Sequence, residues 1–200
     1  MLGSKVGSSV NDIFIIGCGG FAKEVYFLIK EINEKSVNPV FNFKGFIGTT
    51  EHVAEIKIGG NTLPVLFEDN FLKTFSNKQI SLAIGIGVPN IIEKLYSRFK
   101  DNFIFPNLIH PNFVGYLETI QLGVGNIITS GNNFTVDIKI GSLNVFNLNS
   151  TVGHDTIIGS FNVINPGSNI SGNVKIVDSN LIGTNASILQ NLELGSNSVL

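Results

Sequence analysis

His154 is followed directly by Asp155 in the run Thr151-Val152-Gly153-His154-Asp155-Thr156. An imidazole ordinarily titrates near neutral pH, at about 6.5, so it can take a proton from a nucleophile and later return it. A neighbouring carboxylate can orient the ring or raise its basicity. The pair is the candidate general base; the plainer alternative is a surface histidine without chemistry. The other two histidines stand apart. His52 falls in an expected loop, and His110, just before Pro111, reads as a structural residue. The single cysteine, Cys18, sits in a glycine turn and reads as packing rather than as a nucleophile. Three scattered histidines and one cysteine make no ligand set, so no metal is expected.

A second candidate is Gly17-Cys18-Gly19-Gly20-Phe21-Ala22, which fits G-x-G-x-x-A. Glycines let the backbone approach a phosphate, and a helix N-terminus favours an anion. Gly48-Thr49-Thr50 lacks the acid expected beside an NAD ribose, which disfavours a dinucleotide.

The elements that must position these residues fall into two units with different periodicity. Residues 1–10 read as a flexible leader. Over residues 11–108, apolar runs at Ile13–Ile16, Phe41–Ile47 and Ser81–Ile84 read as strands. Helical spacing fills Phe21–Asn33 and Val88–Lys100. Strands alternating with helices predict a small parallel sheet.

Residues 109–200 follow a six-residue rule. Leu122, Ile128, Phe134, Ile140, Phe146, Val152, Ile158, Ile164, Ile170, Ile176, Ile182, Ile188, Leu194 and Leu200 are all large and apolar. A six-residue step turns an α-helix by about 240°, which would scatter these side chains around the cylinder. The next residue is glycine at Gly123, Gly141, Gly159 and Gly195, one phase of an 18-residue cycle that Val177 interrupts. Nested periods of six and 18 predict three short strands per turn of a triangular coil. The apolar residues should fill its interior, and the residues after them should make the corners, where Gly and Asn tolerate positive φ. A β-helix ordinarily ends in a cap, so an end at Leu200 reads as a truncated one.

The 200 residues carry a formal net charge of −2, with 14% charged and 43% hydrophobic residues. That gives no basic footprint for nucleic acid and no polybasic surface for a membrane. No apolar stretch approaches the roughly 18 residues of a membrane span. One cysteine allows no internal disulfide, and the N-terminus lacks a signal-peptide core, so a cytoplasmic protein is expected.

Several stretches together resemble the hexapeptide-repeat acyltransferases that act on nucleotide-linked amino sugars, with sialic acid O-acetyltransferases as relatives. They are Ile16–Val25, Ile84-Gly85, Leu108-Ile109-His110-Pro111, Thr151–Gly159 and Ile170–Val174. The resemblance implies a Rossmann-like α/β domain followed by a left-handed parallel β-helix. It implies a homotrimer with acetyl-CoA lying between neighbouring β-helices. It makes His154 the general base with Asp155 in support, and puts acetyl-CoA contacts at Val163, Gly183 and Thr184. It puts sugar-nucleotide contacts at Gly19, Gly20, Phe21, Gly48, Thr49 and Gly85. The expected activity is N-acetylation of a UDP- or dTDP-linked amino sugar. O-acetylation of a sugar, or a noncatalytic sugar-nucleotide binder, are the alternatives.

Overall fold

The computed structural model describes residues 10–48, 53–75 and 79–200. The leader except for Val10, together with Thr49, Thr50 and His52, lies outside the described residues.

The first unit contains β1 (Asn11–Ile16), α1 (Gly20–Lys35), β2 (Phe41–Gly48), β3 (Glu55–Ile58), β4 (Asn61–Phe67), α2 (Glu68–Thr74), β5 (Ser81–Ile84) and α3 (Pro89–Phe99). The sheet order is β3-β4-β2-β1-β5, parallel except for β3 against β4. Ile13 and Ile15 face one side and Phe14 and Ile16 the other, all buried, as expected of a central strand covered on both faces. The β3–β4 hairpin and α2 are additional to the expected elements. The hairpin turns at Gly59-Gly60, both at positive φ, the two-residue turn that matches strand twist.

The second unit is a parallel β-helix, the left-handed form expected. Its first face stacks Ile120–Leu122, Ile138–Ile140, Ile157–Ile158, Lys175–Ile176 and Glu193–Leu194. The second stacks Leu108–Ile109, Ile127–Ile128, Val145–Phe146, Val163–Ile164 and Leu181–Ile182. The third stacks Asn133–Phe134, Thr151–Val152, Asn169–Ile170 and Ser187–Ile188. From Ile120 onward each strand pairs with the one 18 residues away, as in Val145 with Val163 and Phe146 with Ile164, while Leu108–Ile109 pairs with Ile127–Ile128, 19 residues on. The six-residue series from Ile128 to Ile188 forms the interior, with Leu122 and Leu194 packed at its ends. Leu200 is exposed.

The corners are made differently from the expectation. From Gly125 to Asn197 every sixth residue has φ between 54° and 77°, three places after the inward residue rather than one. Asn and Asp recur there because a short polar side chain tolerates the left-handed region. Gly123, Gly141 and Gly159 are small for another reason. A Cβ on Gly123 would lie 2.6 Å from the Gly141 carbonyl, and one on Gly141 would lie 2.7 Å from that of Gly159. Close approach of successive coils, not turn conformation, excludes the side chain.

Two further ladders hold the stack. Asn126, Asn144, Asn162 and Asn180 are fully buried; the Oδ1 of each of the first three accepts the backbone N–H and a side-chain N–H of the asparagine in the next coil, and Asn180 Oδ1 accepts Ser198 N–H. On the second face the outward residues Leu108, Ile127, Val145 and Val163 are apolar and buried. Leu108 and Ile127 share a cluster with Val25, Leu28 and Ile29 of α1; Val145 and Val163 share one with Ile92, Leu95 and Phe99 of α3. The α/β unit therefore packs along this face, and the edge carrying His154 lies between the other two.

Candidate functional site

The corner after Thr151–Val152 carries the imidazole. Val152 points into the prism, and the chain turns through Gly153, His154 and Asp155, which has φ 58°. That turn brings the Asp155 carboxylate to 2.7 Å from His154 Nδ1. Both side chains stay open to solvent, with relative exposures of 53% and 61%. The backbone beneath them is pinned on both sides. Asp155 N–H donates to the Val136 carbonyl at 3.2 Å, and the His154 carbonyl accepts Asn173 N–H at 2.7 Å. Thr156, fully buried, donates its hydroxyl to the Ser171 carbonyl at 3.1 Å. The acid holds one ring nitrogen, so the other, Nε2, is the one available to accept a proton.

The residues that the resemblance puts at acetyl-CoA occupy two other places. Gly183 and Thr184 follow the strand Leu181–Ile182 and sit at the corner between the second and third faces. Thr184 is exposed, and Gly183 N–H donates to the Leu200 carbonyl at 2.8 Å. Thr184 and His154 thus lie on the two edges that bound the third face. Val163 is 0% exposed and packs in the cluster shared with α3. Its side chain offers a ligand no surface in this chain, because the α/β unit covers it.

The glycine motif divides into structural and open positions. Gly17 has φ +117°, and its N–H donates to the Ile47 carbonyl at 2.9 Å. A Cβ there would meet the Gly85 carbonyl at 2.9 Å. Gly85 is itself buried, and a Cβ on it would come within 2.7 Å of Ala22 Cα, so it is small to let α1 approach β5. Gly19 and Gly20 are exposed at the start of α1, with nothing within 4 Å of an added Cβ. Phe21 is half-buried and packs into both clusters of the sheet. Gly48 is buried at the end of β2, and Thr49 lies outside the described residues. Gly19, Gly20 and Gly48 gather at the carboxyl ends of β1 and β2; the chain leaves for β2 on one side of β1 and returns as β5 on the other. This is the switch point where open α/β sheets bind ligands.

Cys18 is half-buried, and burial pushes its thiol up from the ordinary range, which keeps it protonated and poorly nucleophilic. His110 is a pin between the units. Its Nδ1 accepts Asn112 N–H at 2.9 Å, which leaves Nε2 to donate to Glu31 of α1 at 3.0 Å. Among the described residues, no three His, Cys, Asp or Glu side chains come together as a metal group.

Residues 12–99 match the family model of the PglD N-terminal domain. No curated protein sequence matches the chain. Among solved structures it is similar to PerB from Caulobacter crescentus in complex with CoA and GDP-perosamine. Identity is 24%, 96% of this chain and 86% of that one are covered, and the TM-score is 0.82. The acetyltransferase domain of PglB from Neisseria gonorrhoeae FA1090, in complex with acetyl coenzyme A, has a TM-score of 0.82 at 22% identity over 96% and 88% of the two chains. A histidine-to-alanine mutant of GDP-perosamine N-acetyl transferase from Caulobacter crescentus, in complex with CoA and GDP-perosamine, has a TM-score of 0.74 at 19% identity over 96% and 93%. The α/β unit and the β-helix behind it thus share one architecture with these chains along nearly their whole length.

One residue escaped the sequence reading of the site. Gly172 lies 18 residues after His154 and directly beside its ring: a Cβ built on it would be 2.6 Å from Nε2. The available signal was the coil period itself, which places position 172 next to position 154.

Proposed function

We propose that this chain transfers acetyl from acetyl-CoA to the amino group of a nucleotide-linked amino sugar, with His154 as general base. The reading is carried by the His154 Nδ1–Asp155 contact of 2.7 Å on an open edge of the β-helix. The fold is shared with a protein that binds CoA and GDP-perosamine, an amino sugar on a nucleoside diphosphate.

In the proposed mechanism the sugar nucleotide lies with its phosphates toward Gly19 and Gly20 at the start of α1, where the backbone is open and the helix dipole is favourable. Asp155 holds the Nδ1–H tautomer. Nε2 takes a proton from the amine as the amine nitrogen attacks the thioester carbonyl. The tetrahedral intermediate collapses by breaking the C–S bond, and the CoA sulfur leaves with the proton from the imidazolium. The acetyl group ends on nitrogen and the histidine is neutral again. General-base catalysis of this kind contributes about 10²–10⁴-fold.

Thr184 and Gly183 stand on a different edge from His154, across the third face. We take this as support for a homotrimer in which acetyl-CoA lies between the His154 edge of one copy and the Thr184 edge of its neighbour. Val163 is assigned to the packing between the units, and residues 11–108 and 109–200 are the two working units, Leu108 being the joint residue that already pairs in the β-helix. No helix among the described residues is long and apolar enough to cross a membrane, and both substrates are metabolites of the cytoplasm, where we place the protein.

The test is acetyl-CoA consumption with UDP-, dTDP- and GDP-linked amino sugars, sialic acids and no acceptor. Turnover with an amino sugar nucleotide, lost by about 10²–10⁴-fold in His154→Ala while CoA still binds, is the expected result. Near-normal turnover in that variant, or turnover with hydroxyl acceptors alone, would overturn the reading.

A further inference from the structure

We propose that Gly172 is a positioning residue for His154, a seat one coil further along the stack that fixes how the imidazole lies. The inference rests on His154 acting as the base, as proposed above. Gly172 is buried, and its φ lies outside the left-handed region, so its backbone makes no demand for glycine. The demand comes from the ring. A Cβ on Gly172 would lie 2.6 Å from Nε2, 2.8 Å from Cε1 and 3.0 Å from Cδ2 of His154, and all three are side-chain atoms. A methyl group and the imidazole cannot both occupy that space.

The coil period sharpens the point. Positions 124, 130, 136 and so on to 196 are equivalent, each two residues after an inward one. Every one except Gly172 carries a side chain: Val136 precedes His154 by one coil on this edge, and Gln190 follows Gly172. The edge therefore accepts side chains in general, and the glycine falls on the coil that faces the histidine. Gly153 is a different case, because a Cβ there would meet the backbone of the next coil, at Gly172 N, at Ser171 C (2.6 Å) and at Gly172 Cα (2.8 Å); it is small for the coil and not for the ring. Asp155 on Nδ1 and the seat under the Nε2 end restrain the ring at opposite ends. Together they hold Nε2 in one place and keep Nδ1 as the protonated nitrogen.

The experiment compares Gly172→Ala with the parent chain in three measurements. The first is steady-state kinetics with acetyl-CoA and the acceptor found above. Displacing a reacting group by about 1 Å costs about 10²-fold, so kcat should fall by that order while KM for acetyl-CoA stays within about twofold. The second is the ¹⁵N spectrum of the His154 ring, which should change from a single Nδ1–H form to a mixture of tautomers. The third is thermal unfolding of Gly172→Ala in the His154→Ala background, where the methyl has room and the melting temperature should match that of His154→Ala. Gly195→Ala, with nothing within 4 Å of the added carbon, is the control and should match the parent throughout. The proposal is overturned by an unchanged ring spectrum in Gly172→Ala. It is equally overturned by a drop of about 5 °C or more in the double variant, since about 1–2 kcal/mol lost without the ring would mean that the coil itself needs the glycine. A parent chain with no acetyl transfer would sink the proposed function alone, and the ring spectrum would still decide the seat.

Discussion

At the scale of single residues, the proposed site depends on a carboxylate and an imidazole that are adjacent in sequence yet meet only because Asp155 turns back at φ 58°. In a strand, neighbouring side chains point to opposite faces and would not touch. Asp155→Asn keeps the shape but replaces a carboxylate with an amide that can equally donate, so the ring loses its tautomer preference. We expect kcat to fall about 10–100-fold with KM for acetyl-CoA nearly unchanged, measured by initial rates. The half-buried Cys18 thiol, pushed up by burial, predicts slow alkylation by iodoacetamide at neutral pH. Cys18→Ala should retain full turnover, and a large loss would return the thiol to consideration.

At the scale of elements, each β-helix strand is two or three residues long, too short to be stable alone. The coil is held by repetition, and the asparagine ladder shows how. Asn162 Oδ1 accepts two N–H groups of Asn180 at 2.9 and 3.0 Å, while its Nδ2 donates to Asn144 Oδ1 at 3.1 Å and to the Val177 carbonyl at 2.9 Å. Asn162→Ala leaves the Val177 carbonyl and both Asn180 N–H donors of the next coil without their partner, while Asn144 Oδ1 keeps the backbone N–H of residue 162. Each unpaired buried group costs about 1–3 kcal/mol, so the variant should lose about 2–4 kcal/mol in urea unfolding. An effect under about 0.5 kcal/mol, the range of ordinary surface changes, would contradict the ladder's role. Corner residues should be much less sensitive. Asp137, exposed at φ 57°, is expected to tolerate glycine with almost no change in stability.

At the scale of the whole molecule, one face of the prism is buried under the α/β unit, and that arrangement decides which residues can meet a ligand. Leu143 and Phe161 accept the left-handed region despite their bulk because they pack into the shared core, Phe161 6.0 Å from the Tyr96 ring of α3. Ser179 adds a hydroxyl to Glu93 of α3 at 3.2 Å. Val163 is part of the same contact. Val163→Ala should therefore cost about 2 kcal/mol of stability with an unchanged KM for acetyl-CoA below the melting temperature. A raised KM with unchanged stability would instead place this position at the acetyl donor.

The amino-acid sequence alone determined the two units, the inward ladder and the candidate base, because each is local or strictly periodic. A glycine turn between strand and helix, or an apolar residue every sixth place, has the same meaning wherever it stands. The outward series Ile127, Val145 and Val163 was equally periodic, but its meaning depended on what covers it. Only the packed structure separated Gly19 and Gly20, open to a ligand, from Gly85, which is small so that α1 can approach β5. Only it put the corner three residues past the inward side chain, and Gly172 against His154. Those facts arise from contacts between segments far apart in the chain, where residue type records that a side chain is small but not which neighbour requires it to be.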